Sequence, residues 1–170
     1  MTLDDLLAES EIRQVLYRYC RGVDRGDRAL IASVYHPGAI DEHGPFKGLG
    51  ADFPDNLVPR MDATKLIGQH CILNELMEID GNEARVESYF LAMQPSGSAE
   101  DGTAIQILVM GRYLDNFEKR DGTWLIAHRR VILDYTEIMN KDAAWPRAAL
   151  FPAGKRREQD ASHGFFKTMT

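Results

Sequence analysis

The sequence predicts an α+β domain whose antiparallel sheet wraps around N-terminal helices as a cone open at one end. Three observations point there. Apolar residues step by three and four near the N-terminus, four long runs rich in Ile, Leu, Val, Tyr and Phe fill the second half, and turn signals join those runs.

The elements follow in chain order. Ile12, Val15, Leu16, Tyr19 and Val23 form one stripe of a helix over residues 3–23. Asp27 fits the N-cap of a short second helix reaching Val34, because its carboxylate can accept from the free amides of a first turn. His36-Pro37-Gly38 closes that helix, residues 39–43 form a short edge strand, and Gly44-Pro45 turns the chain toward Phe46. Residues 50–61 read as a third helix interrupted by Pro54 and Pro59. Four strands then cover 67–79, 84–94, 104–117 and 123–137, joined at Asp80-Gly81-Asn82, a 95–102 loop and Arg120-Asp121-Gly122. Residues 1–139 make the domain. Residues 140–170, with Trp145, Phe151, Phe165 and Phe166 as aromatic anchors, read as an extension with three alternatives, a lid over the cone, an oligomer contact or a partly disordered tail.

At 170 residues the chain has room for one core. A net charge of −6 with no clustered basic face excludes nucleic acid as an expected partner. No apolar run approaches the ~20 residues of a membrane span, and the acidic start does not resemble a secretory signal. The expected protein is soluble and cytoplasmic, with no membrane partner. Cys20 and Cys71 lack CxxC spacing, so neither a disulfide nor a zinc site is expected.

Several polar residues stand out against this apolar frame. Alternation places His70 with Ile72 and Leu76 on one strand face. Arg129 shares its face with Leu125, Ala127, Val131, Leu133 and Tyr135, where a cation is costly without a partner or an anionic ligand. The alternate face carries Trp124, Ile126, His128 and Arg130, so Arg130 is the fallback. Asp24 ends the first helix against the negative end of its dipole, a cost of ~0.3 to 1 kcal/mol that a neighbouring imidazole would offset. Accepting from one ring nitrogen of His70, it would fix the tautomer and free the other nitrogen as base. Tyr19 can donate its phenolic proton or hold a substrate oxygen, and Arg129 can stabilise developing negative charge. Asn74, Gln106 and Tyr135 are candidate substrate contacts, although Asn74 and Gln106 could equally satisfy backbone. Asp41 and His43 alternate on a short strand and read as rim residues, since two ligands without a third make a poor metal site. Lys155, Arg156 and Arg157 read as a solvated run that could also attract an anion.

The stretch Tyr19-Cys20-Arg21-Gly22-Val23-Asp24-Arg25-Gly26-Asp27, then Tyr35-His36-Pro37-Gly38-Ala39, Gly44-Pro45-Phe46-Lys47-Gly48, His70 after Ile67-Gly68-Gln69, and Arg120-Asp121-Gly122-Thr123-Trp124 before Arg129 together resemble the SnoaL-like branch of the nuclear transport factor two-like superfamily. The similarity covers about residues 3–137 and is nearest to the group containing hexachlorocyclohexane dehydrochlorinase and bile acid 7α-dehydratase, with scytalone dehydratase more distant. It implies a cystatin-like α+β barrel, often trimeric or dimeric, and cofactor-free lyase chemistry. Asp24 would then orient the base His70, with Arg129 contacting the leaving group and Tyr19 at the polar position five residues before the Asp. The second strand histidine of scytalone dehydratase has no equivalent, because no histidine lies between His70 and His128.

The function expected is a cofactor-independent lyase acting on a small hydroxylated ring compound, by loss of water or halide or by a related C–C cleavage. An isomerase or polyketide-cyclase-like enzyme would use the same proton abstraction. A non-catalytic module, such as the structural β-subunit of a ring-hydroxylating dioxygenase, would share the architecture without the chemistry.

Overall fold

A computed structural model describes residues 2–139 and 147–165. The expected anchors Trp145 and Phe166 lie outside the described residues. Helix α1 (Leu3–Arg25) opens on a reciprocal cap between Thr2 and Asp5 and ends at Gly26, whose left-handed backbone (φ 63°) suits glycine. Its stripe of Ile12, Val15, Leu16, Tyr19 and Val23 is buried as the spacing predicts. In α2 (Arg28–Ala32), Asp27 caps the Leu30 amide at 3.0 Å. Helix α3 (Phe53–Thr64) takes Pro54 into its first turn, where a missing amide costs nothing, and continues through Pro59 without interruption.

Six strands form one curved, open sheet: β1 (Tyr35–His43), β2 (Phe46–Leu49), β3 (Gln69–Asp80), β4 (Glu83–Ser96), β5 (Ile105–Arg120) and β6 (Thr123–Met139), in the order β2-β1-β6-β5-β4-β3. The meander of β3 to β6 is antiparallel as expected. Strand β1 departs from expectation twice. It begins at Tyr35, absorbing His36-Pro37-Gly38, and it pairs parallel with β6 as an interior strand, leaving β2 at the edge. It enters the sheet from helices rather than from a hairpin, so nothing forces antiparallel pairing. Its buried Tyr35, Ala39 and Asp41 suit an interior position.

Two bulges decide which residues face the core. In β3 the pairing passes from Ile72 opposite Phe90 to Glu75 opposite Ser88, which inserts one residue and reverses the alternation. His70 and Ile72 therefore face inward with Glu75 and Met77, whereas Leu76, expected on their face, turns outward. In β6 the partner of Phe117 is Ile126 and that of Asn116 is His128, so Ala127 is the extra residue. Trp124, Ile126 and Arg129 are consequently buried together, and Arg130 is exposed beside Glu42. A third irregularity lies between Met110 and Gly111, and at Gly111 an added Cβ would lie 2.2 Å from the Ile132 carbonyl oxygen and 2.8 Å from the Phe90 ring. Only glycine fits there. Among the described residues, no helix is long and apolar enough to cross a membrane.

Candidate functional site

The last turn of α1 meets the start of β3, the far edge of the sheet, and there one carboxylate holds one residue twice. Asp24 Oδ1 lies 2.7 Å from His70 Nδ1, and Asp24 Oδ2 accepts from the His70 backbone N–H at 3.1 Å. The backbone contact gives a partner to an amide that β3, as an edge strand, would otherwise leave open. Both side chains are about nine-tenths buried. With Nδ1 donating to the carboxylate, Nε2 is the nitrogen that keeps a lone pair.

His70 and Asp24 line a cleft of about 270 Å³ together with Tyr17, Cys20, Arg21, Arg25 and Ile72. Directly paired residues point to the same face of a sheet. His70, Ala92, Val109 and Thr136 thus form one concave row, and Ile72, Phe90, Gly111 and Leu133 the next. Leu133 and Ile138 remain 62% and 67% exposed, so the concave face presents open apolar surface on the His70 side of the cone. Burial, and then the nearby Asp24 charge, pushes the Cys20 thiol up to about 12, so it stays protonated.

The structure does not bring Arg129 to this cleft. Its guanidinium is fully buried, donating from Nε and Nη2 to the two oxygens of Asp115 at 2.8 and 2.7 Å, with the rings of Tyr19 and Tyr113 on it at 4.2 and 4.1 Å. Burial opposes the charge, but Asp115 outweighs it and holds the guanidinium protonated. Beside it, Tyr35 donates to the buried Asp41 at 2.5 Å. Tyr19 belongs to this cluster, with its phenol raised by burial and so neutral. Tyr19 precedes Asp24 by five residues, a rise of about 7.5 Å along α1. The four residues expected in one site therefore form two groups, a dyad at the cleft and a closed ion pair deeper in the cone.

The remaining expectations need correction. Asn74 lies in the β3 bulge, between the paired Ile72 and Glu75, and is exposed rather than facing the cone. Tyr135 is half-exposed and donates to Glu137 on the outer face, because it pairs with the outward Met110. Gln106 donates to the Ile67 carbonyl, the backbone-satisfying role weighed above. Asp41 is buried, and His43 stacks on Phe53 at 4.5 Å, so neither is a rim residue. Of the two cysteines, Cys20 is buried and Cys71 exposed. Asp115 was missed, yet it alternates with Tyr113 and Phe117 in the same anomalous way that singled out Arg129. Among the described residues, no group of three potential metal ligands occurs.

The basic run at 155–157 is exposed at Lys155 and Arg157, as a solvated run would be, but two of its three cations are paired. Arg156 and Arg157 reach Asp62 of α3 at 2.8 and 2.5 Å, and Asp160 binds Arg25 at 3.3 Å, strapping this segment across the end of α1. Burial raises the Asp62 carboxyl, but Arg157 and then Arg156 outweigh it and the net shift is downward. Asp160 is held well below its ordinary range by the Ser162 hydroxyl and the Lys155 and Ser162 amides. Carboxylates with depressed folded values favour the strap above the unfolded range and release it as pH falls through them. Hydrogen exchange across 155–163, corrected for intrinsic rate, should therefore lose protection below about pH 4, while protection in β5 persists.

A family model described as a SnoaL-like domain matches residues 4–130. Comparison with curated protein sequences finds no match. Among solved structures, the chain is similar to a hexachlorocyclohexane dehydrochlorinase, LinA type 2, at 19% identity and a TM-score of 0.71, covering 86% of this chain and 98% of that one. It is also similar to a scytalone dehydratase-like protein from Novosphingobium aromaticivorans at 21% identity and a TM-score of 0.69, covering 87% and 98%. A cystatin-like protein from Nostoc punctiforme matches at 18% identity and a TM-score of 0.61, covering 79% and 94%. At these identities the likeness is one of fold.

Proposed function

The chain belongs to the SnoaL-like domain family, and from that premise we propose that it is a cofactor-independent lyase acting on a small, ring-containing, hydroxylated substrate. The observation that carries the reading is the double grip of Asp24 on His70, at the ring and at the backbone. A merely structural carboxylate would need one of these contacts; both together fix ring orientation and tautomer at once. His70 Nε2 takes a proton from substrate carbon, the C–H electron pair becomes the new double bond, and the β C–O bond breaks. The imidazolium, stabilised by Asp24, then returns its proton to the departing oxygen as water. For a halide the proton passes to solvent instead. In the related C–C cleavage, His70 takes a hydroxyl proton, the O–H pair becomes the carbonyl of a departing aldehyde as the C–C bond breaks, and the imidazolium returns the proton to the carbanion left on the ring.

The open apolar surface of Leu133 and Ile138 supports a ring-bearing substrate. Arg129 enters the proposal through Nη1, the donor that Asp115 leaves without a partner among the described residues. It meets a leaving oxygen once substrate opens space beside Tyr19. The test is incubation with a panel of hydroxylated and halogenated rings, followed by mass. Loss of water, halide or aldehyde supports a lyase. A mass-neutral product would replace it with an isomerase, and a folded protein copurifying with a partner chain and turning over nothing would replace it with a structural subunit.

We also assign a second copy of the chain to the outer face of the sheet, where Leu76, Tyr89, Met110 and Leu114 are exposed. Sedimentation is expected to give a dimer or trimer that Leu114→Lys shifts toward monomer. A monomeric parent would sink this assignment.

A further inference from the structure

The C-terminal strap and the dyad meet at one junction. Arg156 Nη1 reaches Asp62 Oδ1 of α3 at 2.8 Å while its Nη2 donates to the Leu66 carbonyl oxygen at 2.6 Å, and Leu66 lies four residues before His70. Arg157 Nη2 takes the other oxygen of Asp62 at 2.5 Å while its Nε donates to the Gly26 carbonyl oxygen at 3.3 Å, and Gly26 lies two residues after Asp24. One carboxylate thus joins two guanidiniums, and each guanidinium holds the backbone beside one member of the dyad. We propose that Arg156 and Arg157 are positioning residues, which clamp the end of α1 to the segment leading into β3 and so keep Asp24 on His70. The proposal rests on reading that pair as the catalytic device and deepens it by naming what holds the pair in place.

Neither member is fixed by its own element alone. The last carbonyls of a helix have no partner within it, β3 is paired on one side only, and residues 65–68 before it belong to no helix or strand. Gln106 ties that link to the sheet through Ile67, a contact that does not reach α1. A base and its orienting carboxylate act together only when their geometry is kept to within about 0.5 Å. The backbone of the strap points the same way. Arg157 has φ 51°, in the left-handed region where a residue with a Cβ is strained and glycine is not. Asp160 supports that conformation by accepting from the Lys155 and Ser162 amides, each at 3.0 Å, which closes the strap on itself. Strain of this kind persists where surrounding contacts over-determine it. Here it aims one planar fork at Asp62 and Gly26 together, a task for which the single nitrogen of lysine is poorly suited.

The experiment records the imidazole nitrogen spectrum of the full-length protein labelled at histidine, with His70→Ala assigning the His70 signals. The parent should show Nδ1 protonated, with an Hδ1 proton protected from exchange by Asp24. In Arg156→Gln with Arg157→Gln that proton should be lost to exchange with water and the ring should average over both tautomers, while thermal melting and hydrogen exchange in β5 show the fold intact. Arg157→Gly is the second variant: glycine takes φ 51° freely, so its melting temperature should stay close to that of the parent while the Hδ1 signal weakens. On any substrate found in the panel, the double variant should lose about 10- to 100-fold in kcat with KM within a few-fold. A protected Hδ1 that persists in the folded double variant, or a loss of activity that follows only the fraction unfolded, would overturn the proposal. The ring spectrum needs no substrate, so the role of the strap is decided even where the panel gives no turnover. A fully active His70→Ala variant would end the lyase reading and leave the spectral comparison standing.

Discussion

Replacing His70 with alanine is expected to lower turnover by about 10²- to 10⁴-fold, the usual contribution of a positioned base, while leaving the melting temperature close to that of the parent. The imidazole sits on an edge strand beside a cleft rather than in the closed core, and Asp24 keeps its second contact to the residue 70 amide when the ring is gone. Asp24→Asn should fall in the same range for a different reason. The asparagine carbonyl can still accept from the backbone N–H, but its amide donates to Nδ1 and moves the ring proton to Nε2, which removes the lone pair facing substrate. Because both changes disable one device, the double variant should be little worse than either single one. Initial rates on any substrate found in the panel decide this. Activity within a few-fold of the parent in His70→Ala, with the fold intact, would end the dyad as catalyst; a severe Asp24→Asn defect together with a mild His70→Ala one would make Asp24 itself the base.

Local pattern carried the reading a long way, and long-range pairing marks where it stopped. The α1 stripe and the four long strands follow from spacing, and so did the choice of Asp24 and His70 as partners: a carboxylate at the wrong end of a helix dipole and a lone histidine on a strand each ask for a reason. Bulges are different. The extra residues at β3 and at Ala127 shift register by one, and with a period of two that exchanges the faces of everything beyond them. Leu76 shares a face with His70 only if the alternation runs unbroken, and the bulge that holds Asn74 breaks it. The same physics hid the partner of Arg129. Counting back from the Asp121-Gly122 turn without a bulge sets Asp115 against His128; the bulge sets it against Arg129. Parallel pairing of β1 with β6, which buries Asp41 beside this cluster, joins segments some ninety residues apart and leaves no trace in either.

That hidden partner yields the largest stability effect. Asp115→Ala would leave the Arg129 charge in a site with no solvent exposure and no carboxylate against Nε and Nη2, which costs about 3–5 kcal/mol by the precedent of broken buried pairs. Asp115→Asn, which retains an acceptor and the shape, should cost less. The informative variant removes both charges: Asp115→Leu with Arg129→Met should recover most of the loss, because desolvating two charges roughly cancels their attraction. Urea titration gives these values directly. A loss below about 1 kcal/mol for Asp115→Ala would mean that water reaches the guanidinium and that the closed end of the cone opens readily. The recovered double variant then separates structure from chemistry. If it folds and still turns substrate over at the parental rate, Nη1 contributes nothing to the leaving group and Arg129 is there for the fold; if it folds and turnover collapses, the buried cation is the second half of a mechanism whose first half is His70.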